Sequence, residues 1–157
     1  MSEITAGALG EIGGRILEDA AFVFTEPTDE PPAFEEAVLE GRLRFVAPSG
    51  EGTLLIAAGR SLAQEIAANL LGVDAGDPET DGQDRGALGE MLNIIAGAFM
   101  ADRFGHNVLC MLGIPSVQAF EPDAYAVQKD GTACKVHFST DDGRRIDLGV
   151  DFVERSN

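Results

Sequence analysis

The amino-acid sequence predicts an α+β fold in which two similar halves each contribute a helix followed by a three-stranded meander. Apolar residues recur at helical spacing across residues 86–99, whereas they alternate with polar residues across 38–46 and 145–152, as in half-buried strands. The segment Gly7–Glu11 is repeated without change at Gly86–Glu90, which indicates an internal duplication. We therefore expect an antiparallel sheet with helices on one face and a pseudo-two-fold axis between the halves.

The first half is predicted to span residues 5–72, approximately, and to begin and end with a helix. Capping residues, prolines and glycines mark the boundaries of its elements. In chain order the predicted elements are a helix that Thr5 or Ser2 caps and that runs to about Asp19, a strand over 21–25, an acidic proline-broken loop over 27–32, strands over 38–46 and 53–57, and a helix over 62–71 that Ser61 caps and Gly72 ends.

The second half, approximately residues 84–154, is predicted to repeat this order after an acidic linker over 73–83. Its elements are a long helix that ends near Gly105, an extended segment over 108–117, hairpin strands over 125–129 and 132–140 joined by the turn residues Asp130 and Gly131, and a last strand over 145–152. We expect residues 1–157 to form a single domain, because a chain of 157 residues with 45% hydrophobic content can bury one proper core.

The helix over residues 86–99 has two different faces. At about 100° per residue, four apolar side chains fall in one narrow stripe that we expect to lie in the core, namely Leu88, Leu92, Ile95 and Phe99. On the opposite side Glu90 and Asn93 are three residues apart and therefore neighbours. Around this pair lie three small residues, with two apolar side chains at the flanks that could add contact: Gly86, Gly89 and Gly97, and Ile94 and Met100.

Glycine inside a helix costs about 1 kcal/mol relative to alanine, so several on one face require an explanation. Close approach by another protein surface to Glu90 and Asn93 is one, which makes this face a predicted docking face. Tight packing within the fold and an ordinary solvated face are the alternatives. The first copy of the repeat differs, since Gly14 stands where Asn93 stands and Glu18 where Gly97 stands. If either copy is functional, we therefore expect it to be the second.

The net charge of −16, from 27 acidic and 11 basic residues, argues against binding to nucleic acid or to anionic membranes. It favours encounter with a partner that carries basic groups, although solubility alone would also explain it. No apolar run approaches the length of a membrane span, and the N-terminus does not resemble a secretory signal. We expect a cytoplasmic protein.

The cysteines and histidines do not predict a metal site. Cys110 and Cys134 lack metal-binding or redox spacing, and Cys134 is expected to be a buried thiol. His106 follows a glycine at a helix end, and His137 shares the outer face of a strand with Lys135. Because neither histidine has a cysteine, histidine or carboxylate clustered with it in the sequence, we expect no metal to be bound.

The motif Glu90-x-x-Asn93, followed by small residues and by the segment Leu112–Val117 with Pro115, resembles the CheC/CheX/FliY family. Those proteins are bacterial phosphatases of chemotaxis response regulators. The resemblance covers nearly the whole chain, and one intact Glu-x-x-Asn helix is most similar to CheX. It implies a CheC/CheX-like fold and a homodimer. The family pattern usually has Asp or Ser four residues before the glutamate, where this chain has Gly86.

The resemblance implies a role for each residue of the pair. The substrate would be the aspartyl phosphate of a CheY-like receiver domain, which itself supplies Mg²⁺ and a lysine, so this chain would bind no cofactor. Asn93 would orient the hydrolytic water, because an amide both donates and accepts without adding negative charge. Glu90 would pair with the receiver's lysine. The alternatives are a non-catalytic adaptor that binds a receiver or a flagellar motor component, and an oligomeric scaffold in which the glycine face is a self-association seam.

Overall fold

The computed structural model describes residues 4–127 and 134–155. The elements in chain order are α1 (Ala6–Ala21), β1 (Thr25–Pro27), β2 (Val38–Ala47), β3 (Gly50–Gly59), α2 (Arg60–Leu71), a short 3₁₀ helix (Pro78–Thr80), α3 (Asp84–Phe104), β4 (Met111–Leu112), β5 (Ser116–Phe120), α4 (Pro122–Val127), β6 (Cys134–Thr140) and β7 (Arg145–Glu154). This mixture confirms the predicted α+β class.

All strand pairs in the described residues are antiparallel, and they form one sheet in the order β1-β6-β7-β3-β2-β4, with β5 also pairing with β2. A pseudo-two-fold axis between β3 and β7 relates β2 to β6 and β5 to β1. The outer strands are exchanged, because β1 of the first half pairs with β6 and β5 of the second half pairs with β2. Each half therefore forms a central hairpin, β2-β3 or β6-β7, and adds its outer strand to the hairpin of the other half. The sequence instead predicted that strands consecutive in the chain would pair.

The main core lies between the sheet and helices α1, α2 and α3, which pack against one another. The four side chains of the predicted apolar stripe of α3 are each at most 1% exposed, which confirms that prediction: Leu88, Leu92, Ile95 and Phe99. Helix α4 contributes to a separate cluster, in which Tyr125 packs with Val38 and Ala57. These two strand residues alternate with Leu39 and Ile56 of the main core, so α4 covers the opposite face of the sheet.

The first predicted strand, over residues 21–25, is wrong because α1 continues through Ala21. Phe22 then adopts a left-handed conformation with φ 56°, and its N–H donates to the Glu18 carbonyl at 3.0 Å. This is a helix C-cap and not the beginning of a strand. The predicted N-cap Thr5 is confirmed, since its Oγ accepts from the Ala8 N–H at 3.1 Å.

Helix α2 begins one residue before the predicted cap. Its N-cap is Gly59, and the Ser61 N–H donates to the carboxylate of Glu36 at 2.9 Å. An acidic side chain distant in sequence thus satisfies the end of the helix. Gly72 ends α2 in the left-handed conformation, as predicted.

The predicted strand over 125–129 is wrong where the structure describes it, because Pro122–Val127 is helical. Pro122 suits the first turn of a helix, and Tyr125 is anchored to the sheet below it. The predicted turn at Asp130 and Gly131 lies outside the described residues.

Asp147 of β7 anchors α4 and is completely buried. Its carboxylate accepts from Tyr125 Oη at 2.7 Å and from Arg145 Nε and Nη2, each at 2.9 Å. It also lies 2.6 Å from His137 Nδ1, so the expectation that His137 has no carboxylate partner is wrong. Burial alone would raise the pKa of Asp147, but hydrogen bonds from Arg145, His137 and Tyr125 outweigh it and lower that pKa. Burial and then the Asp147 charge raise the pKa of Tyr125.

Candidate functional site

The exposed side of α3 carries four residues in a line, Gly86, Glu90, Asn93 and Gly97, which we call the α3 strip. The Glu90 and Asn93 side chains are exposed neighbours, with about 5–6 Å expected between Cβ atoms at this spacing. Within the described part of the chain, neither has a hydrogen bond or an ion pair with another residue. Both are therefore available to an outside partner.

The glycines of α3 fall into two groups. A Cβ built at Gly86 or at Gly97 would meet no atom within 4 Å, so packing within this chain does not explain these two glycines. Gly89 is different, because it is buried and a Cβ there would lie 3.4 Å from the Cβ of Pro115. The structure therefore places Gly86 and Gly97 on the open surface and Gly89 beneath the segment that contains Pro115.

The structure contradicts the predicted position of Met100, which is only 4% exposed and belongs to the main core. Met100 lies about three helical turns after Gly89 and on nearly the same side of α3. The chain that follows α3 returns along the sheet edge as β4 and β5, and Pro115 and Val117 of this segment lie over Gly89. On the other flank of the strip, Ile94 is half-buried and remains partly accessible.

Two arginines connect the beginning of α3 to its neighbours. Arg60 Nε of α2 lies 3.3 Å from Asp84 Oδ2, and Arg85 Nη1 donates to the Val117 carbonyl of β5 at 3.1 Å. Asp84 is only 14% exposed and is engaged by Arg60, so it does not lie on the α3 strip. Sequence reasoning missed Arg60 and Arg85, because nothing local signals either long-range contact.

The equivalent surface of α1 has a different composition and a different use for its glycines. Glu11 is exposed like Glu90, but Gly14 occupies the position of the asparagine. A Cβ at Gly10 would lie 3.3 Å from Val136 Cγ2, and one at Gly13 would lie 2.1 Å from Leu148 Cδ1. A cleft of about 930 Å³ lies beside this helix and includes Glu11 and Gly14 among its lining residues. It presents no carboxylate–amide pair like that of α3, so volume alone does not identify the functional surface.

The two chain segments that carry the α3 strip and Pro115 contain few charged residues. Glu90 is the only charged residue from Gly86 to Ala101, and none occurs from Asn107 to Phe120, although the net charge is −16. The described residues contain no group of three His, Cys, Asp or Glu that could hold a metal ion. An open helix face cannot enclose a small substrate, so its carboxylate and amide are suited to act on the site of another protein.

A duplicated α+β domain that displays one exposed Glu-x-x-Asn helix defines a class of protein, and comparison with known families identifies it. The family model described as chemotaxis phosphatase CheX matches residues 42–139, which is more than half of the chain. The chain belongs to the CheX family. This confirms the family resemblance that the Glu-x-x-Asn motif indicates. No curated protein gives a significant match.

Solved structures show the same fold at low sequence identity. The chemotaxis protein CheX from Vibrio vulnificus has a TM-score of 0.70 at 17% identity, covering 93% of this chain and 97% of that one. CheX from Desulfovibrio desulfuricans has a TM-score of 0.66 at 16% identity, with coverage of 94% and 98%. The CheX–CheY–BeF3–Mg²⁺ complex from Borrelia burgdorferi has a TM-score of 0.67 at 17% identity, with coverage of 95% and 97%.

No helix in residues 4–127 or 134–155 has both the length and the apolar character needed to cross a membrane.

Proposed function

We propose that this protein dephosphorylates the aspartyl phosphate of a CheY-like receiver domain through Glu90 and Asn93. The observation that carries the proposal is that these two side chains stand exposed, adjacent and without a partner in the described chain, between glycines that leave the surface open. Membership of the CheX family supports a role in chemotaxis signalling. The Borrelia burgdorferi complex of a similar fold with CheY supports a receiver domain as partner.

The reaction is hydrolysis of an acyl phosphate. A water oxygen attacks phosphorus in line with the bond to the aspartate oxygen, that bond breaks, and aspartate and inorganic phosphate are released. Asn93 accepts a hydrogen bond from the water and holds it in line, and its neutral amide does not repel the phosphoryl group. The Mg²⁺ and the lysine that bear the developing charge belong to the receiver, and this chain binds no cofactor. Positioning of this kind is worth about two to three powers of ten in rate.

Glu90 serves docking. One helical turn from Asn93, its carboxylate pairs with the receiver's active-site lysine and sets the distance between α3 and the phosphoryl group. The absence of a second carboxylate from residues 86–101 supports this role, since additional carboxylates would repel an anionic active site. We further propose that the protein acts in the cytoplasm as a homodimer, as its family resemblance implies.

A non-catalytic adaptor is the second candidate. It is favoured by one observation, that Gly86 stands where the family pattern usually has Asp or Ser. An adaptor would bind the phosphorylated receiver through the same strip without accelerating its decay.

The decisive experiment measures the decay of labelled phospho-receiver with the wild type and with the Asn93→Ala and Glu90→Ala variants. We expect Asn93→Ala to lose about 100-fold to 1000-fold of the acceleration at saturation, and Glu90→Ala mainly to raise KM. Glu11→Ala is the matched control, because it removes the equivalent exposed carboxylate of α1. Equal decay with wild type and Asn93→Ala would contradict the catalytic role, and retention of phospho-receiver without faster decay would establish the adaptor.

A further inference from the structure

The chain between α3 and β5 exposes large apolar side chains. Ile114 is 92% exposed and Leu109 is 82% exposed, and Met111 between them is also exposed. No charged residue occurs from Asn107 to Phe120. Exposed apolar side chains of this size indicate that one end of the segment is a contact surface.

Ile114 lies in the short connection between β4 and β5, which we call the turn, and both neighbouring residues of Ile114 are held by contacts. The Gly113 N–H donates to the Arg44 carbonyl at 2.7 Å, and Pro115 packs over Gly89 of α3. Consecutive Cα atoms are about 3.8 Å apart, so Ile114 lies next to the residue that packs over Gly89, which precedes Glu90 in α3. An apolar side chain held outward on an anchored turn loses little freedom when it is buried by a partner.

The charges around Ile114 favour one kind of occupant. Arginines border this segment, because the side chain of Arg44, whose carbonyl accepts from Gly113, is 75% exposed and Arg85 donates to the Val117 carbonyl. A partner with an acidic surface therefore fits this region better than a basic one. A second copy docked about a two-fold axis at Ile114 would instead bring two sets of these arginines together. An active site that carries a phosphoryl group and a single lysine requires that the surface facing it have few acidic residues. It also requires one carboxylate opposite the lysine.

We infer that Ile114 is a docking residue, which enters an apolar recess of the phosphorylated receiver domain beside its phosphorylation site. The inference depends on the proposed function and adds to it the residue that selects the partner. Ile114 determines the affinity for the phosphorylated receiver, whereas Asn93 determines the rate of hydrolysis in the bound complex. Removing the Ile114 side chain should therefore raise KM and leave kcat unchanged.

Binding of the receiver loaded with beryllofluoride, a phosphoryl mimic that is not turned over, measures docking without hydrolysis. We expect Ile114→Ser to weaken this binding by about 10-fold or more, and to raise KM by a similar factor with kcat within about two-fold. Since Ile114 is almost fully exposed, the variant should melt at the wild-type temperature.

Leu109→Ser is the matched control, because Leu109 is a similarly exposed apolar residue at the other end of α3. The Val108 N–H donates to the Gly105 carbonyl, and Gly105 lies about 22 Å from Glu90 along the helix axis. We expect this variant to bind the loaded receiver within about two-fold of the wild type.

Three results would overturn the inference, and they are distinguishable. If Ile114→Ser binds like the wild type while Asn93→Ala still loses turnover, Ile114 has no docking role and the proposed function stands. If Ile114→Ser changes the native mass but not the affinity per protomer, the turn contacts a second copy. If the wild type neither binds nor dephosphorylates any chemotaxis receiver of its organism, the proposed function fails and the inference fails with it.

Discussion

Helices α1 and α3 begin with the same five residues and use them differently. Gly7–Glu11 and Gly86–Glu90 are identical, and in both copies the glutamate is exposed. In α1 the glycines at positions 10 and 13 face the sheet, where Val136 and Leu148 leave no room for larger side chains. In α3 the glycines at 86 and 97 face open space.

The difference shows that a repeated sequence need not form the same surface. What distinguishes the two helices lies after the identical segment, where α3 has Asn93 and Gly97 while α1 has Gly14 and Glu18. The chain that follows also differs, because the segment with Pro115 packs against Gly89 and leaves Ile114 exposed. The two copies share a scaffold, and of the two helices α3 displays an exposed carboxylate beside an exposed amide.

Exchanging Asn93 of α3 and Gly14 of α1, which stand at equivalent positions, should have the largest effect of the changes considered. Asn93→Gly should make α3 resemble α1 and reduce the catalysed decay of phospho-receiver by about 100-fold to 1000-fold. Adding Gly14→Asn should not restore activity, because a Cβ at Gly14 lies 3.3 Å from Thr25 Oγ1 and Glu18 remains on that face. Recovery of activity in the double variant would show that the two faces are equivalent.

The second half also differs in having α4 fixed to the sheet by Asp147. Asp147→Ala should reduce the free energy of unfolding by about 3 kcal/mol, because it leaves Arg145 beside the sheet without its buried carboxylate. Chemical denaturation at neutral pH measures this loss. Tyr125→Phe, which removes one of the donors, is the milder comparison and should lose less.

The same carboxylate predicts a pH dependence. Its pKa is lower in the folded protein than the value of about 3.9 expected in the unfolded chain. The stabilisation is therefore fully present above that unfolded value and is lost as the pH falls through about 4 towards the folded-state pKa. Asp147→Asn should flatten the stability curve in this range, and an unchanged acid slope would contradict the assignment.

Two glycine substitutions, one in α1 and one in α3, should have small and opposite effects on stability. Gly13→Ala should destabilise the protein by about 1–2 kcal/mol, because a Cβ there lies 2.1 Å from Leu148 Cδ1 in the packed core. Gly97→Ala should instead stabilise it by up to about 1 kcal/mol, because the methyl group enters open space and alanine favours a helix. Thermal melts of the two variants should shift in opposite directions, and shifts of the same sign would show that the two glycines have similar surroundings.

Features that depend on neighbours along the chain could be predicted from the sequence. The apolar stripe of α3, the Thr5 cap, the Gly72 end and the alternation along β2 and β7 arise from local periodicity and capping. The pairing of Glu90 with Asn93 on one exposed face belongs to the same category, since helical spacing alone determines it. Hence the α+β class and the central pair of the candidate site follow from local sequence patterns alone.

Only the tertiary structure decided the features that depend on residues distant in sequence. The returning chain packs Pro115 over Gly89 and leaves Ile114 exposed, while Met100 joins the main core. The exchange of β1 and β5 between the halves depends on pairing across the whole sheet. Likewise Glu36 caps α2, and the Asp147 carboxylate contacts the side chains of Tyr125, His137 and Arg145. Periodicity indicates which side of an element is apolar, but the element that covers that side is determined by packing between segments far apart in the chain.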